Sequence, residues 1–266
     1  MATRPRAGTW VQAVVAAALP WFLPCSIGQF GPVLDPEGAP QAETQEEFDA
    51  YLAIVAAEGD SERIAAAESF AASYPSSALL GQALVHRMEA HRAADNAEAV
   101  VRTGDAVLKL LPDNLRALLT LASAIPNAVV DPESQASLLE RAEAYAKRAL
   151  VVMEAKKIPR TIPLNQWNGL RAEMGSEAHE AMGHVAAKRG DVGKAVEEFR
   201  RAIALSPSES GRQHYRLGAA LARLGKIADS RAALLRAVEL GPELIRVRSR
   251  DELRWLESAS PGRRSR

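Results

Sequence analysis

Four residues recur at one spacing in the C-terminal third of the chain. Gly183 is followed by Gly218, Gly190 by Gly225, Ala202 by Ala237 and Pro207 by Pro242, each 35 residues later. Small and helix-breaking residues returning together mark two copies of one structural unit between Ser176 and Pro242. In the first copy, Ser176 to Arg189 reads as a helix with Gly183 inside it. A glycine there costs about 1 kcal/mol relative to alanine, tolerable where a second helix packs against the missing side chain. Gly190 breaks the helix and Asp191 can cap the next one. Val192, Ala195, Val196, Phe199, Ala202 and Ile203 then return every three or four residues, which puts them on one helix face. Pro207 ends the unit.

The second copy repeats the plan. Leu217-Gly218 stands where Met182-Gly183 stood, and Gly225-Lys226 breaks the chain. Ala228, Ala232, Leu234, Leu235, Ala237 and Val238 are expected to supply the apolar face. A helix–turn–helix unit with an early small residue, a middle Ala and a late Pro resembles the tetratricopeptide repeat, whose period is about 34 residues. His179 and His214 replace the usual Trp, Ala186 and Leu221 the usual Tyr, and Ser230 and Leu234 the usual Ala and Phe. The resemblance implies an all-α, right-handed α-solenoid that binds proteins or peptides.

Earlier units are more divergent. Thr44-Gln45-Glu46-Glu47 is a capping-box pattern that predicts a helix start, with Phe48, Tyr51, Leu52 and Val55 as its buried stripe. Ile64–Tyr74 is the expected partner helix, so the first unit spans about 44–75. A second unit covers 78–112, with Ala83, His86 and Ala90 on its first helix and Asp95 opening the next. A third, expanded unit covers 114–158; Asp131-Pro132 starts a long helix whose packing face carries Ala142, Tyr145, Ala146 and Ala149. Residues 165–175 lead into the next unit and lengthen its first helix. The last two units are 176–209 and 211–243, followed by a capping helix over 244–258 and a frayed basic tail over 259–266.

The N-terminus reads differently. Arg4 and Arg6 precede an apolar run from Trp10 to Leu23 that is short for a membrane span, and Ser26-Ile27-Gly28 offers small residues for cleavage. Residues 1–28 are expected to be an export signal cleaved after Gly28, or an uncleaved anchor. Residues 29–43, with Gly31, Pro32, Pro36, Gly38 and Pro40, read as a flexible linker. Localisation is therefore expected to be periplasmic or secreted, or on the inner membrane if the anchor is retained. Cys25 is the one cysteine; its loss with the signal would leave no disulfide, thiolate zinc site or Cys nucleophile.

Chemistry is hard to find in this sequence. His179 and His184 are five apart, as are His86 and His91, and five residues rotate a side chain by about 140° around a helix. The zinc motif needs two His four apart, so no metal site is expected. Gly218 to Lys226 has the wrong spacing for a phosphate loop, and no nucleophile elbow is present. No catalytic residue, cofactor or metal is expected, and a hydrolase with an unrecognised site is the weakest reading. A formal net charge of zero argues against nucleic-acid binding.

One surface stands out. Arg212, Arg216 and Arg223 fall within about 40° around their helix axis, with Tyr215 and Ala219 beside them. The resemblance places these on the first-helix positions that line a concave groove, with His184 and Lys188 in similar places one unit earlier. Arginines there can pair bidentately with a partner's carboxylates. The expectation is a non-enzymatic scaffold that binds a protein or peptide on that groove; a membrane-anchored structural or assembly component of the envelope is the alternative.

Overall fold

The structure is a computed structural model that describes residues 40–128, 132–158 and 162–259. Among these residues it contains eleven helices: α1 (Gln45–Ala56), α2 (Asp60–Ser73), α3 (Leu80–Ala93), α4 (Ala97–Leu110), α5 (Leu115–Ala128), α6 (Pro132–Ala155), α7 (Leu164–Arg189), α8 (Val192–Leu205), α9 (Gly211–Arg223), α10 (Ile227–Leu240) and α11 (Glu243–Ala259). Each packs chiefly on the next one in the chain. Odd-numbered helices also meet one another, α1 with α3, α3 with α5, α5 with α7 and α9 with α11, while no two even-numbered helices come as close. In a curved stack the layer whose members crowd together is the inner one, so the odd helices form the inner face of an α-solenoid.

The glycines explain how closely the helices pair. A Cβ on Gly183 would lie 2.6 Å from the Phe199 ring, and one on Gly218 would lie 2.7 Å from Leu234. Both glycines let the second helix of a unit lay a large buried apolar side chain against the first helix's backbone. Ser230 occupies the place of Ala195 and is fully buried; its hydroxyl donates to the Gly218 carbonyl at 2.8 Å, so the replacement is satisfied.

The turns match expectation at Gly190, Gly225 and Thr44 and differ in the first two units at α2 and Asp95. Gly190 and Gly225 adopt left-handed conformations, φ 81° and 75°. In the second unit Asp95 does the same at φ 56°, and the cap of α4 is Asn96, whose side chain accepts the Ala99 N–H at 3.1 Å. Asp95 therefore ends α3 rather than opening α4; Asp is one of the few side chains that visits this region. α2 begins at Asp60, four residues before the expected Ile64, because Asp60 and Glu62 favour the positive end of the helix. Thr44 caps α1 by accepting the Glu47 N–H at 3.1 Å, while Glu47 reaches back to the Glu43 N–H at 2.6 Å.

Two expected faces are corrected. On α1, Ile54 is buried, Phe48 and Tyr51 are half-buried, and Leu52 and Val55 are 42% and 49% exposed. Only the side of α1 turned to α2 and α3 is covered; no described element packs on the other. On α10 the buried residues are Ser230, Ala233, Leu234 and Ala237, while Ala228, Ala232 and Leu235 face solvent. The 35-residue offset from α8 fixes that register; the extra apolar residues are surface alanines and a leucine.

The long α6 and α7 join the expanded unit to the next. Glu143 on α6 accepts Lys147 at 2.8 Å, Lys194 of α8 at 2.9 Å, and Arg189 at the end of α7. Three cations, with the hydrogen bond from Lys147 the largest influence, hold its carboxyl at about 2. The expectations for residues 1–28, most of 29–43, Asp131 and 260–266 lie outside the described residues.

Candidate functional site

The inner face divides into two halves with different electrostatics. The first is built by α3, α5 and α7. Glu89 is its hub: one oxygen accepts the Thr120 hydroxyl at 3.2 Å and faces Arg116 at 3.7 Å, and the other accepts Arg92 at 2.7 Å. Glu177 of α7 is half-buried beside the same two arginines. Burial raises its pKa, Arg116 and Arg92 pull it down, and Glu89 and Glu173 push it up again. Cations and carboxylates here answer one another.

The second half is built by α7 and α9. Its boundary is a polar bridge. Glu180 pairs with Arg216, and Gln213 donates to Glu180 at 3.0 Å and to the Ser176 hydroxyl at 2.9 Å. Ser176 in turn donates to the Ala202 carbonyl at 2.8 Å, so the bridge runs from α8 through α7 to α9. Burial lowers the Arg216 pKa to about 10, which leaves it charged at neutral pH.

Beyond the bridge the charge is positive. Lys188, Arg212 and Arg223 are exposed, and none makes an ion pair with a described residue. His184 is half-buried, its ring edge-on to Phe199 with centroids 5.9 Å apart. Burial, then the charges of Lys188 and Arg212, lower its pKa to about 4, so the imidazole is neutral in the fold. Tyr215 and Leu253 pack on the buried cluster of Ala222, Leu234 and Leu256, and Ala219 is half-buried on α9.

The sequence-predicted residues therefore separate by role. Lys188 and Arg212 both act on His184 near the C-terminal end of the inner face, while Arg223 stands about three turns along α9 from Arg212. Arg216 sits among them but its charge is already matched by Glu180. Tyr215 is half-buried on a cluster shared by α9, α10 and α11. The hub at Glu89 was not foreseen. Arg92 is a local i,i+3 partner, but Arg116 and Thr120 lie 27 and 31 residues later on α5, and no local pattern links them to Glu89. Among the described residues no group of three His, Cys, Asp or Glu is placed to hold a metal ion.

Comparison with known proteins places this geometry. Residues 176–209 match the tetratricopeptide repeat family. The chain carries a tetratricopeptide repeat. The matched segment coincides with the second half of α7 and all of α8, the pair joined through Gly183 and Phe199. No curated protein matches the sequence. Among solved structures, the thermophilic tetratricopeptide repeat protein TTC0263 of Thermus thermophilus is similar at 18% identity and a TM-score of 0.53. That match covers 79% of this chain and 98% of the other. A MamA fragment of Desulfovibrio magneticus RS-1 is similar at 17% identity and a TM-score of 0.47, over 75% of this chain and 97% of the other. The likeness is one of fold: a tetratricopeptide-type solenoid.

Proposed function

We propose that this protein is a non-enzymatic scaffold that binds a protein or peptide partner on its inner face, and that the partner presents acidic residues to the C-terminal half. The observation that carries this reading is the set of three exposed, unpaired cations on α7 and α9, Lys188, Arg212 and Arg223, set beside a half whose charges are paired. A stacked solenoid presents its surface preformed, so binding orders little of the scaffold. The cations then supply steering and selectivity for carboxylates. Nothing in this reading calls on nucleic acid or a cofactor.

Binding of a peptide library by the full chain tests the proposal. Selected sequences should be enriched in Asp and Glu. Reversing Lys188, Arg212 and Arg223 to Glu should abolish that enrichment, while Lys109→Glu on the outer helix α4 should leave it intact. Equal enrichment in the triple variant overturns the assignment.

The apolar run Trp10–Leu23 supports export as the location, with cleavage after Gly28. No helix of the described residues is long and apolar enough to cross a membrane. Retention of Met1 in a membrane fraction would instead make the protein an anchored envelope component. Mass measurement of the N-terminus in a host that exports it distinguishes a chain starting at Gln29 from one that keeps Met1.

A further inference from the structure

The last helix of the stack is covered on one side only. α11 buries Ile245, Ser249 and Leu256, and it packs on α9 and α10. At 100° per residue these three share one face. Away from that face, Val247 stands opposite it and Leu244 and Trp255 on one flank; they are 43%, 60% and 55% exposed. The helix that closes a repeat stack ordinarily turns a polar face outward. Here two aliphatic side chains and an indole stand on the side that a twelfth helix would cover.

The charges on that face have a self-complementary order. Arg248 is exposed and makes no ion pair with a described residue; Asp251, one turn on, is exposed and held by Arg254. Consider two copies of α11 antiparallel across a two-fold axis between Ser249 and Arg250. Leu244 then opposes Trp255 of the second copy, and Arg248 opposes Asp251 of the second copy. Symmetry makes each contact twice, as an isologous interface requires. A register that matches the apolar ends and the central charges together is a specific property of this helix.

We infer that α11 is a self-association surface, on which the occupant is α11 of a second copy of this chain. Over Glu243–Ala259, Arg246, Arg248, Arg250 and Arg254 balance Glu243, Asp251, Glu252 and Glu257, so the helix carries no net charge. That favours a partner of alternating charge over an anionic lipid surface, which attracts strongly basic helices. A single helix pair buries less than the ~1,200 Å² of a standard interface, so the dimer is weak and concentration-dependent. The pairing lies at the end of the stack and leaves Lys188, Arg212 and Arg223 free for a partner.

Sedimentation equilibrium of the full chain tests this. The mass should rise from 28.6 kDa toward twice that value with concentration. Arg248→Asp sets acid against acid twice and should hold the chain monomeric, with unchanged helical circular dichroism. The exchange Arg248→Asp with Asp251→Arg restores opposite charges and should restore the dimer; Trp255→Ser should weaken it in either background. A mass that stays at the monomer value overturns the inference. So does growth beyond two copies, which would mean head-to-tail contact with the exposed Leu52 and Val55 of α1. A dimer indifferent to Arg248→Asp, or not recovered by the exchange, also overturns it.

Discussion

The two halves of the inner face use the same residue types for different ends. In the half built by α3, α5 and α7, Arg92 and Arg116 converge on Glu89, with Glu177 beside them. In the half built by α7 and α9, Lys188, Arg212 and Arg223 have no acidic partner among the described residues, and one acid, Glu180, is spent on Arg216. Paired charges on neighbouring helices hold the stack in register. Unpaired ones keep their hydration until a ligand replaces it. The first half should therefore respond to mutation mainly in stability, and the second mainly in binding.

The largest effect is expected at Glu89. Replacing it with Ala removes the acceptor of Thr120 and Arg92 and the counter-charge of Arg116, and leaves two guanidiniums facing each other. The cost should be about 3 kcal/mol, read as a lower urea midpoint at unchanged slope. A change within about 0.5 kcal/mol, the range of an ordinary surface residue, would remove the distinction between the halves.

Acid titration separates the halves by a second route. His184 is neutral in the fold because burial and the charges of Lys188 and Arg212 hold its pKa near 4, below the ordinary 6.5. The unfolded chain takes up that proton first. Its contribution to stability is thus complete above pH ~6.5 and is lost as pH falls toward ~4. About 2 kcal/mol should disappear across that window, after allowance for the ring's partial exposure. His184→Asn should flatten the limb. Glu143 acts lower: its carboxyl is held at about 2, so its contribution is lost from pH ~4.5 downward. Two separate limbs in the pH dependence of unfolding are expected, and the asparagine variant should erase only the upper one.

These cases show how far the sequence could be read. The 35-residue offset places α7–α10, because close helix packing requires small residues at Gly183 and Gly218 whatever partner the protein binds. Local patterns also mark the caps at Thr44 and Asp191, since a cap is made by residues three apart. What depends on distant residues is not legible. Arg216 lies on the arginine stripe seen in the sequence, yet its partner Glu180 comes from the preceding inner helix, and no helical spacing reveals that pair. Asp95 misled for a local reason: the left-handed position that Gly190 and Gly225 advertise is filled there by an aspartate. The exposed Leu52, Val55 and Leu235 show the limit of periodicity, which finds an apolar stripe but not whether a neighbour covers it.

Glu180 lies on the boundary, and its substitution links stability to binding. Glu180→Gln keeps an acceptor for Gln213 but removes the charge that faces Arg216. About 1 kcal/mol of stability should be lost. Arg216 then joins the unpaired cations, so affinity for an acidic peptide should rise even as the fold weakens. Loss of both together would mean that Glu180 orders the binding surface rather than limiting it.

The smallest change in stability is expected where the change in binding is greatest. Lys188, Arg212 and Arg223 are exposed and touch no acid, so truncating each to Ala should shift the unfolding free energy by less than about 0.5 kcal/mol. Acidic-peptide affinity should fall with each truncation, and the fall should shrink as salt screens the long-range part. Arg212 should matter more than Arg223, because Arg212 and Lys188 both add positive potential at His184. Raising the pH from 5 to 8 should leave this binding unchanged, since His184 is neutral throughout that range. A binding curve that titrates near pH 6.5 would show instead that the ligand draws His184 into its charged form. The imidazole would then be a fourth cation of the site rather than a packing ring against Phe199.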